Sequence, residues 1–258
     1  MRACDSKQYN YKHYILGLPR INGGSNKHYF LRKYRHFTLL YDQRILAPRW
    51  AVMKLPVKNY NRNSRLKHRL SKFYPDYILW KNRLNVTFHN EYNNIDSKNI
   101  IWDRGHMIRY ADAVKYDDCG ALQSMYTSNM CPQLKLLNRK AWKQLEIDMA
   151  NFTKKHRNVW IIVGPIYNQN SKAFIPGRRI PSPVAFFRIA IARIKKENYK
   201  AIAFIMPHKP IRQNVDMKKF VTTIDTIESL TGFDFFHLLN DDVESTLESQ
   251  KDMSLLEN

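Results

Sequence analysis

The stretch SNMCPQLKLLNRKAWKQLE, residues 128–146, changes midway from an extended pattern to a helical one. Its first part continues a short strand predicted at 126–130, which Pro132 should end because proline lacks an N–H for a central ladder. From Leu136 to about Lys155 apolar residues recur at spacings of three and four, which is the stripe of a helix with one buried face. The residues of that stripe are Trp142, Leu145, Met149 and Phe152.

The tetrapeptide Asp103-Arg104-Gly105-His106 ends an extended segment upstream of this helix. Histidine changes its charge near working pH and can take a proton from water. The neighbouring arginine offers a planar fork for phosphate oxygens, and Gly105 permits unusual dihedral angles or a close backbone approach. Taken alone, the tetrapeptide fits a surface turn with a solvated histidine equally well.

Asn138 and Glu146 are the oxygen-bearing side chains at the start of the predicted helix. Asn138 is at a position where an asparagine side chain caps a helix. Eight residues at 100° each place Glu146 about 80° past two turns from Asn138, so both can face one side. Read separately, they are a cap and an exposed carboxylate. Read together, they can hold a hard cation such as Mg²⁺, which needs few protein ligands.

The remaining pattern favours a mixed fold in one domain. Strands and helices do not alternate regularly, which predicts an α+β class with a central antiparallel sheet rather than a doubly wound one. The predicted domains are an irregular arm at 1–28, a single domain at 29–240 and an acidic tail at 241–258. Outside the central stretch, strands are predicted at 29–41, 49–54, 158–164 (ended by Gly164-Pro165), 184–194 and 201–206, and a second helix at 215–230.

The charge is extreme and unevenly distributed. The 258 residues hold 43 Lys and Arg against 22 Asp and Glu, a net charge of +21. Residues 1–100 carry +15, residues 101–230 carry +12, and residues 231–258 carry −6. Such a surface favours polyanions or anionic membranes as partners. The acidic end is interpreted as a solvated tail, with a tail that screens a basic groove as the sharper alternative.

Cysteines and leader signals exclude some classes and leave the compartment open. Cys4, Cys119 and Cys131 do not form a zinc pattern, and an odd count does not indicate a disulfide framework, although Cys119 and Cys131 could pair under oxidising conditions. No apolar stretch is long enough for a membrane helix, and the first residues lack the apolar region of a signal peptide. The protein is then secreted or periplasmic if a leader has been removed, and otherwise organellar or cytoplasmic.

The order DRGH, then SNxxPQ, then LNxxxWxxLE closely resembles the DNA/RNA non-specific endonucleases, a family of ββα-metal nucleases. Weaker likenesses at Gly17-Leu18-Pro19, at Tyr41-Asp42 and Trp50, and in Lys72 to Asp76 extend the resemblance over about residues 15–210. The resemblance implies a ββα-metal element made of the strand ending at His106, the strand near Asn129 and the helix from Asn138.

The resemblance also implies a role for each matched residue. His106 would be the general base, Arg104 would contact the scissile phosphate, and Asn138 would be the direct metal ligand. Glu146 would act near the metal, and Asp103 and Asn129 would support the site. An arginine before the motif would stabilise the transition state, with Arg69 as the best match and Arg65 as the alternative. The further arginines expected to contact nucleic acid are Arg65, Arg139, Arg178 and Arg179.

These observations predict a nuclease that hydrolyses phosphodiester bonds in DNA and RNA with Mg²⁺, or Mn²⁺ in its place, and leaves 5′-phosphate ends. Two alternatives stay open: a nucleic-acid-binding protein that keeps the scaffold without catalysis, and a toxin or effector nuclease controlled by an acidic inhibitor protein. DNA and RNA are the expected partners, membranes are not, and a homodimer is left open.

Overall fold

The computed structural model describes residues 4, 16–23, 26–66, 68–87, 89–92, 102–171, 179–196 and 198–256. The strands in these residues are β1 (Arg20–Ile21), β2 (Tyr29–Lys33), β3 (Phe37–Asp42), β4 (Ala47–Lys54), β5 (Trp102–His106), β6 (Met130–Leu134), β7 (Val159–Ile166), β8 (Ala185–Lys195), β9 (Asn198–Pro207), β10 (Val221–Thr222) and β11 (Phe233–Asp234). The helices are α1 (Tyr77–Lys81), α2 (Tyr110–Ala113), α3 (Asp118–Ser124), α4 (Lys143–Lys155), α5 (Ile224–Thr231) and α6 (Asp241–Ser249).

A seven-stranded antiparallel sheet forms the centre of the fold, in the order β10-β9-β8-β7-β4-β3-β2. Two smaller antiparallel pairs, β5-β6 and β1-β11, stand apart from it. Together with the helices this confirms the predicted α+β class with a central antiparallel sheet.

The central sheet separates two apolar layers. Along β7, Val159, Ile161 and Val163 belong to one buried cluster, while Trp160 and Ile162 belong to the other. Alternate residues of a strand point to opposite faces, so the two clusters lie on opposite sides of the sheet. Helix α4 packs its buried residues into the first layer, whereas α5 and β11 pack theirs into the second.

Two prolines predicted to end strands are found inside them. Pro132 lies within β6 opposite Arg104, and Pro165 lies within β7 opposite Phe186. The physical reason is the same in both places. In the described residues β6 pairs only with β5, and β7 has lost its pairing with β4 after Val163. Each proline therefore has an open edge beside it, where a missing N–H removes no ladder bond.

Two other predicted elements are shorter than expected. The strand predicted at 29–41 is a hairpin of β2 and β3, closed by a Tyr34 N–H that donates to the Phe37 carbonyl at 2.8 Å. The helix predicted at 215–230 begins only at Ile224, because the Thr223 side chain accepts from the Thr226 N–H and caps it there. Apolar spacing alone does not show these breaks.

The structure shows how the cysteines pair and what the acidic end of the chain forms. A disulfide joins Cys4 to Cys119, and Cys131 is a buried free thiol, so the pairing of Cys119 with Cys131 that the sequence left open does not occur. Residues 241–249 form helix α6, capped by Asn240. Among the described helices, none is long and apolar enough to cross a bilayer.

Candidate active site

Strands β5 and β6 hold the DRGH residues. Arg104 pairs with Pro132, Gly105 with Cys131, and His106 with Met130. A Cβ atom on Gly105 would lie 2.4 Å from Oε1 of Gln133, so glycine is required here for close packing. Gly105 does not adopt a left-handed backbone, and of the two roles predicted for it, close approach is the one the structure shows.

Asn129 fixes the chain immediately after His106. Its side chain accepts from the Ile108 N–H at 2.9 Å and donates to the carbonyls of Ile108 and Ser124, each at 2.9 Å. Its backbone carbonyl accepts from the Met107 N–H at 2.9 Å. Asn129 is fully buried, so these bonds replace the water that its amide would otherwise bind. The supporting position predicted for Asn129 is consistent with these contacts.

His106 lies in apolar surroundings beside a cation. Its Nε2 is 3.4 Å from the Met125 sulfur, and its ring centre is 5.7 Å from that of Phe73. Burial, with a further contribution from the Arg69 charge, lowers the pKa of His106 to about 3. The imidazole is therefore neutral at pH 7, which is the state that can accept a proton.

Arg69 and Arg104 lie near His106, whereas Arg65 does not contact it. The Arg69 guanidinium lies 5.1 Å from the centre of the Tyr110 ring, and its charge acts on His106. The Arg104 guanidinium lies 4.7 Å from the centre of the same Phe73 ring that contacts His106. Arg65 is exposed, and its backbone N–H donates to Asp118 at 2.9 Å. Of the two candidates before the motif, Arg69 is the better placed.

A carboxylate clamp orients Asn138. The Asn138 amide nitrogen donates to Oδ2 of Asp103 at 2.9 Å. Arg139 donates to both oxygens of the same carboxylate, at 2.8 and 2.6 Å. An ionised carboxylate can only accept hydrogen bonds, so Asp103 binds the NH₂ group of the Asn138 amide. The amide oxygen Oδ1 is then left for another partner. The clamp thus joins β5 to the start of the long helix and presents an amide oxygen.

The long helix begins with a wide turn rather than a cap at Asn138. Residues Leu137–Trp142 form a π turn that continues into α4, and the Asn138 side chain bonds Asp103 instead of a backbone N–H. The alternative in which Asn138 only caps the helix is therefore excluded. A π turn is equivalent to one extra residue in an α-helix, so the rotation from Asn138 to Glu146 becomes about 20° short of two turns instead of 80° past them.

Glu146 is a buried carboxylate that faces two arginines. It is 8% exposed, and its Oε1 lies 3.6 Å from the Arg188 guanidinium. Burial raises its pKa to about 7, while the charges of Arg188 and Arg109 oppose that shift and Asp112 adds to it. The Asn138 amide oxygen and this carboxylate are both oxygen donors of the kind that a hard divalent cation prefers.

Arg188 is the residue that the sequence analysis missed. It is fully buried on β8, and within the described residues none of its guanidinium nitrogens has a hydrogen-bond partner. A buried guanidinium is stable only near a compensating charge, and Glu146 supplies one. The signal was present as a single arginine in the apolar run Ala185 to Ala192, AFFRIAIA.

The remaining predicted phosphate contacts are partly engaged within the protein. Arg139 is tied to Asp103, and Arg179 donates twice to Oε1 of Glu91, at 2.9 and 2.6 Å. Arg178 lies outside the described residues. Arg179 also lines a cavity of about 540 Å³ together with Trp80, Lys81 and Arg83.

The hydrogen bonds and ion pairs of the candidate site form separate groups around β5 and around the helix that carries Asn138 and Glu146. In the part of the chain that the structure describes, no hydrogen bond or ion pair joins His106 to Asn138 or to Glu146. What connects them is the backbone of β5, which carries Asp103 and His106 three residues apart, and the clamp from Asp103 to Asn138.

Comparison with known proteins places these residues in a family. The model of the DNA/RNA non-specific endonucleases matches residues 20–242. The chain is 27% identical over 222 residues to mitochondrial endonuclease G of Caenorhabditis elegans, covering 81% of this chain and 69% of that protein. It is 24% identical over 214 residues to human mitochondrial endonuclease G, covering 80% and 69%.

A solved structure supports the fold. The crystal structure described as the EndoG/EndoGI complex superimposes with a TM-score of 0.69 at 22% identity, covering 89% of this chain and 91% of that one. The matched family is one of metal-dependent nucleases. The chain belongs to the DNA/RNA non-specific endonuclease family and is a nuclease.

Proposed function

We propose that this nuclease hydrolyses phosphodiester bonds of both DNA and RNA with Mg²⁺, and that His106 is the general base. The observation that carries the proposal is the Asp103 clamp, which leaves the Asn138 amide oxygen free near the strand that bears a neutral histidine. A protein that only bound nucleic acid would not need a proton acceptor beside an oriented oxygen ligand.

The protein groups divide the chemistry between them. His106 takes a proton from water, the resulting hydroxide attacks phosphorus, and the bond to the 3′ oxygen breaks. That oxygen takes up a proton from solvent and leaves as a 3′-hydroxyl, while the other product carries a 5′-phosphate end. In this proposal Arg69 and Arg104, which lie near His106, contact the phosphate oxygens, whose charge grows in the transition state. Asn138 and Glu146 would hold Mg²⁺, which supplies a Lewis acid for the phosphate and the leaving oxygen.

Arg188 has a positioning role in this proposal. Its charge lies against the buried Glu146 carboxylate and favours the ionised form, which is the form that binds a cation. Arg109 adds to this effect and is itself held by Asp112 at 2.9 and 2.6 Å.

A nicking assay tests the proposal. Supercoiled plasmid and a folded RNA are incubated with the protein in Mg²⁺, in Mn²⁺ and in EDTA. Cleavage of both substrates in Mg²⁺, its loss in EDTA and its return with added Mg²⁺ are expected. Full cleavage in EDTA would contradict the metal assignment, and cleavage of one sugar type alone would contradict the breadth of the substrate.

The relatives also bear on the partner and the compartment of this protein. The similar structure is described as a complex of EndoG with EndoGI that explains EndoG inhibition. With the +21 charge of this chain, that likeness supports an acidic inhibitor protein as a partner. The relatives named above are mitochondrial, which supports the organellar option for this protein.

A further inference from the structure

A group of carboxylates lies on the side of the sheet opposite α4. Asp225 and Glu228 stand on α5 and Glu248 stands on α6, and one oxygen of each lies within 4.8 Å of the others. Helix α5 packs into the second apolar layer through Ile224 and Ile227, whereas the candidate active site adjoins the first.

Glu248 is the unusual member of the group. It is 7% exposed, and its Oε1 has no hydrogen-bond partner within the described residues. A buried carboxylate oxygen without a partner is destabilising, because it has lost its water and gained nothing in exchange. Glu228 is better satisfied, since its Oε1 accepts from the Phe235 N–H at 2.7 Å.

The surroundings of Glu248 supply further negative charge. The charges of Glu228, Glu244, Asp225 and Asp234 all act on the Glu248 carboxylate. Arg20 is bound to Asp234 at 2.8 Å, and its charge acts on Glu244. The segment 221–250 contains seven acidic residues and no Lys or Arg, in a chain with 43 of them. This local reversal of charge calls for a positive partner.

We infer that Asp225, Glu228 and Glu248 form a second cation site, which binds Ca²⁺ and joins α5 to α6. The spacing suits this ion, because oxygens at about 2.4 Å from a common Ca²⁺ lie at most about 4.8 Å apart. The exposed position of Asp225 leaves room for waters to complete the coordination, as Ca²⁺ requires.

Calcium titration of the full chain tests the inference. An Asn138→Ala background removes the direct ligand of the candidate catalytic site, and substitutions in the acidic group then separate the heat of Ca²⁺ binding there from any binding that remains at Glu146. Glu248→Gln and Asp225→Asn are expected to weaken binding about tenfold or more, because affinity follows the number of charged ligands. Glu244→Gln removes the same charge from the same helix outside the triad, and a change of only a few fold is expected.

Thermal unfolding gives the second readout. Added Ca²⁺ should raise the Tm of the Asn138→Ala protein and of its Glu244→Gln derivative, but not that of the Glu248→Gln derivative. The absence of any Ca²⁺ response in the Asn138→Ala protein would overturn the inference, as would an equal response in Glu248→Gln. A Tm that rises on Glu248→Gln substitution in EDTA, with no response to Ca²⁺ before it, would identify a proton-sharing carboxyl pair instead.

Discussion

At the scale of single residues, His106 is the proposed general base. Its ring is neutral at working pH because Met125, Phe73 and Arg69 surround it with apolar groups and positive charge. His106→Ala should lower the cleavage rate by about 10²–10⁴-fold, since it removes the proton acceptor, and should leave DNA affinity nearly unchanged. Rates from single-turnover cleavage and affinities in EDTA measure the two effects. His68→Ala is the control, because it replaces an exposed histidine next to Arg69. Cleavage by His106→Ala within a few fold of wild type would remove it from the mechanism.

The same histidine makes stability depend on pH. Unfolded histidine titrates near pH 6.5, whereas folded His106 titrates near 3. Between these two pH values the unfolded state binds one proton more than the folded state does. The free energy of unfolding is therefore highest above about pH 6.5 as far as His106 is concerned, and it falls as the pH drops. The slope is at most about 1.4 kcal/mol per pH unit for this group. Urea unfolding measures the free energy of unfolding at pH 7.5 and at pH 5. The decrease between the two pH values should be smaller for His106→Gln than for wild type, and equal decreases would contradict the lowered pKa.

The Asp103 clamp separates two roles that share one carboxylate. Asp103→Ala releases both Asn138 and Arg139, whereas Arg139→Ala leaves the bond to Asn138 in place. Partners that orient a ligand typically change metal affinity or activity by about 10–100-fold, and Asp103→Ala should do so. Arg139→Ala should change the Mg²⁺ dependence by only a few fold. Mg²⁺ titrations of the cleavage rate measure both, and equal effects would show that the clamp acts through the ion pair alone.

At the scale of elements, the sequence predicted the strands and helices that show a periodic local pattern. It missed the features that depend on contacts between distant segments. The DRGH strand, the helix carrying Glu146 and the central strands follow from local patterns. The positions of Pro132 and Pro165 inside strands depend on which edges remain unpaired, and no local pattern contains that information. The wide turn before α4 and the salt bridge of Arg188 to Glu146 likewise arise only when distant segments pack.

The β5-β6 pair gives a prediction at this scale. In Gly105→Ala the new Cβ would lie 2.4 Å from Oε1 and 2.8 Å from Cβ of Gln133, so the strands must separate. Overpacking of this kind destabilises by about 1–3 kcal/mol and should also reduce cleavage, since His106 is the next residue. Chemical denaturation and cleavage rates measure the two losses. Adding Gln133→Gly removes both side-chain contacts and should restore part of the activity. No rescue would show that backbone contacts dominate.

At the scale of the whole molecule, charge and layers are arranged together. The first 230 residues carry the positive charge, and the acidic segment that follows begins on the face of the sheet away from α4. Helix α6 sends Leu247 into that second layer, so its acidic residues are held by packing. We expect substrate to meet the cationic surface formed by the first 230 residues, away from α6.

The substrate range follows from what such a surface can recognise. We expect the positive charge and the arginines near His106 to act on phosphates, which carry no base sequence. Matched DNA and RNA duplexes should therefore both be cut, at scattered positions, with only weak sequence preference. Binding should weaken with salt by about 0.9 log units per log unit of salt for each phosphate neutralised on duplex DNA. Affinities and mapped cut sites over a salt series measure both expectations, and Arg69→Ala should lower the cleavage rate of both substrates alike. A single dominant cut sequence, or an affinity indifferent to salt, would show that the chain reads bases rather than backbone.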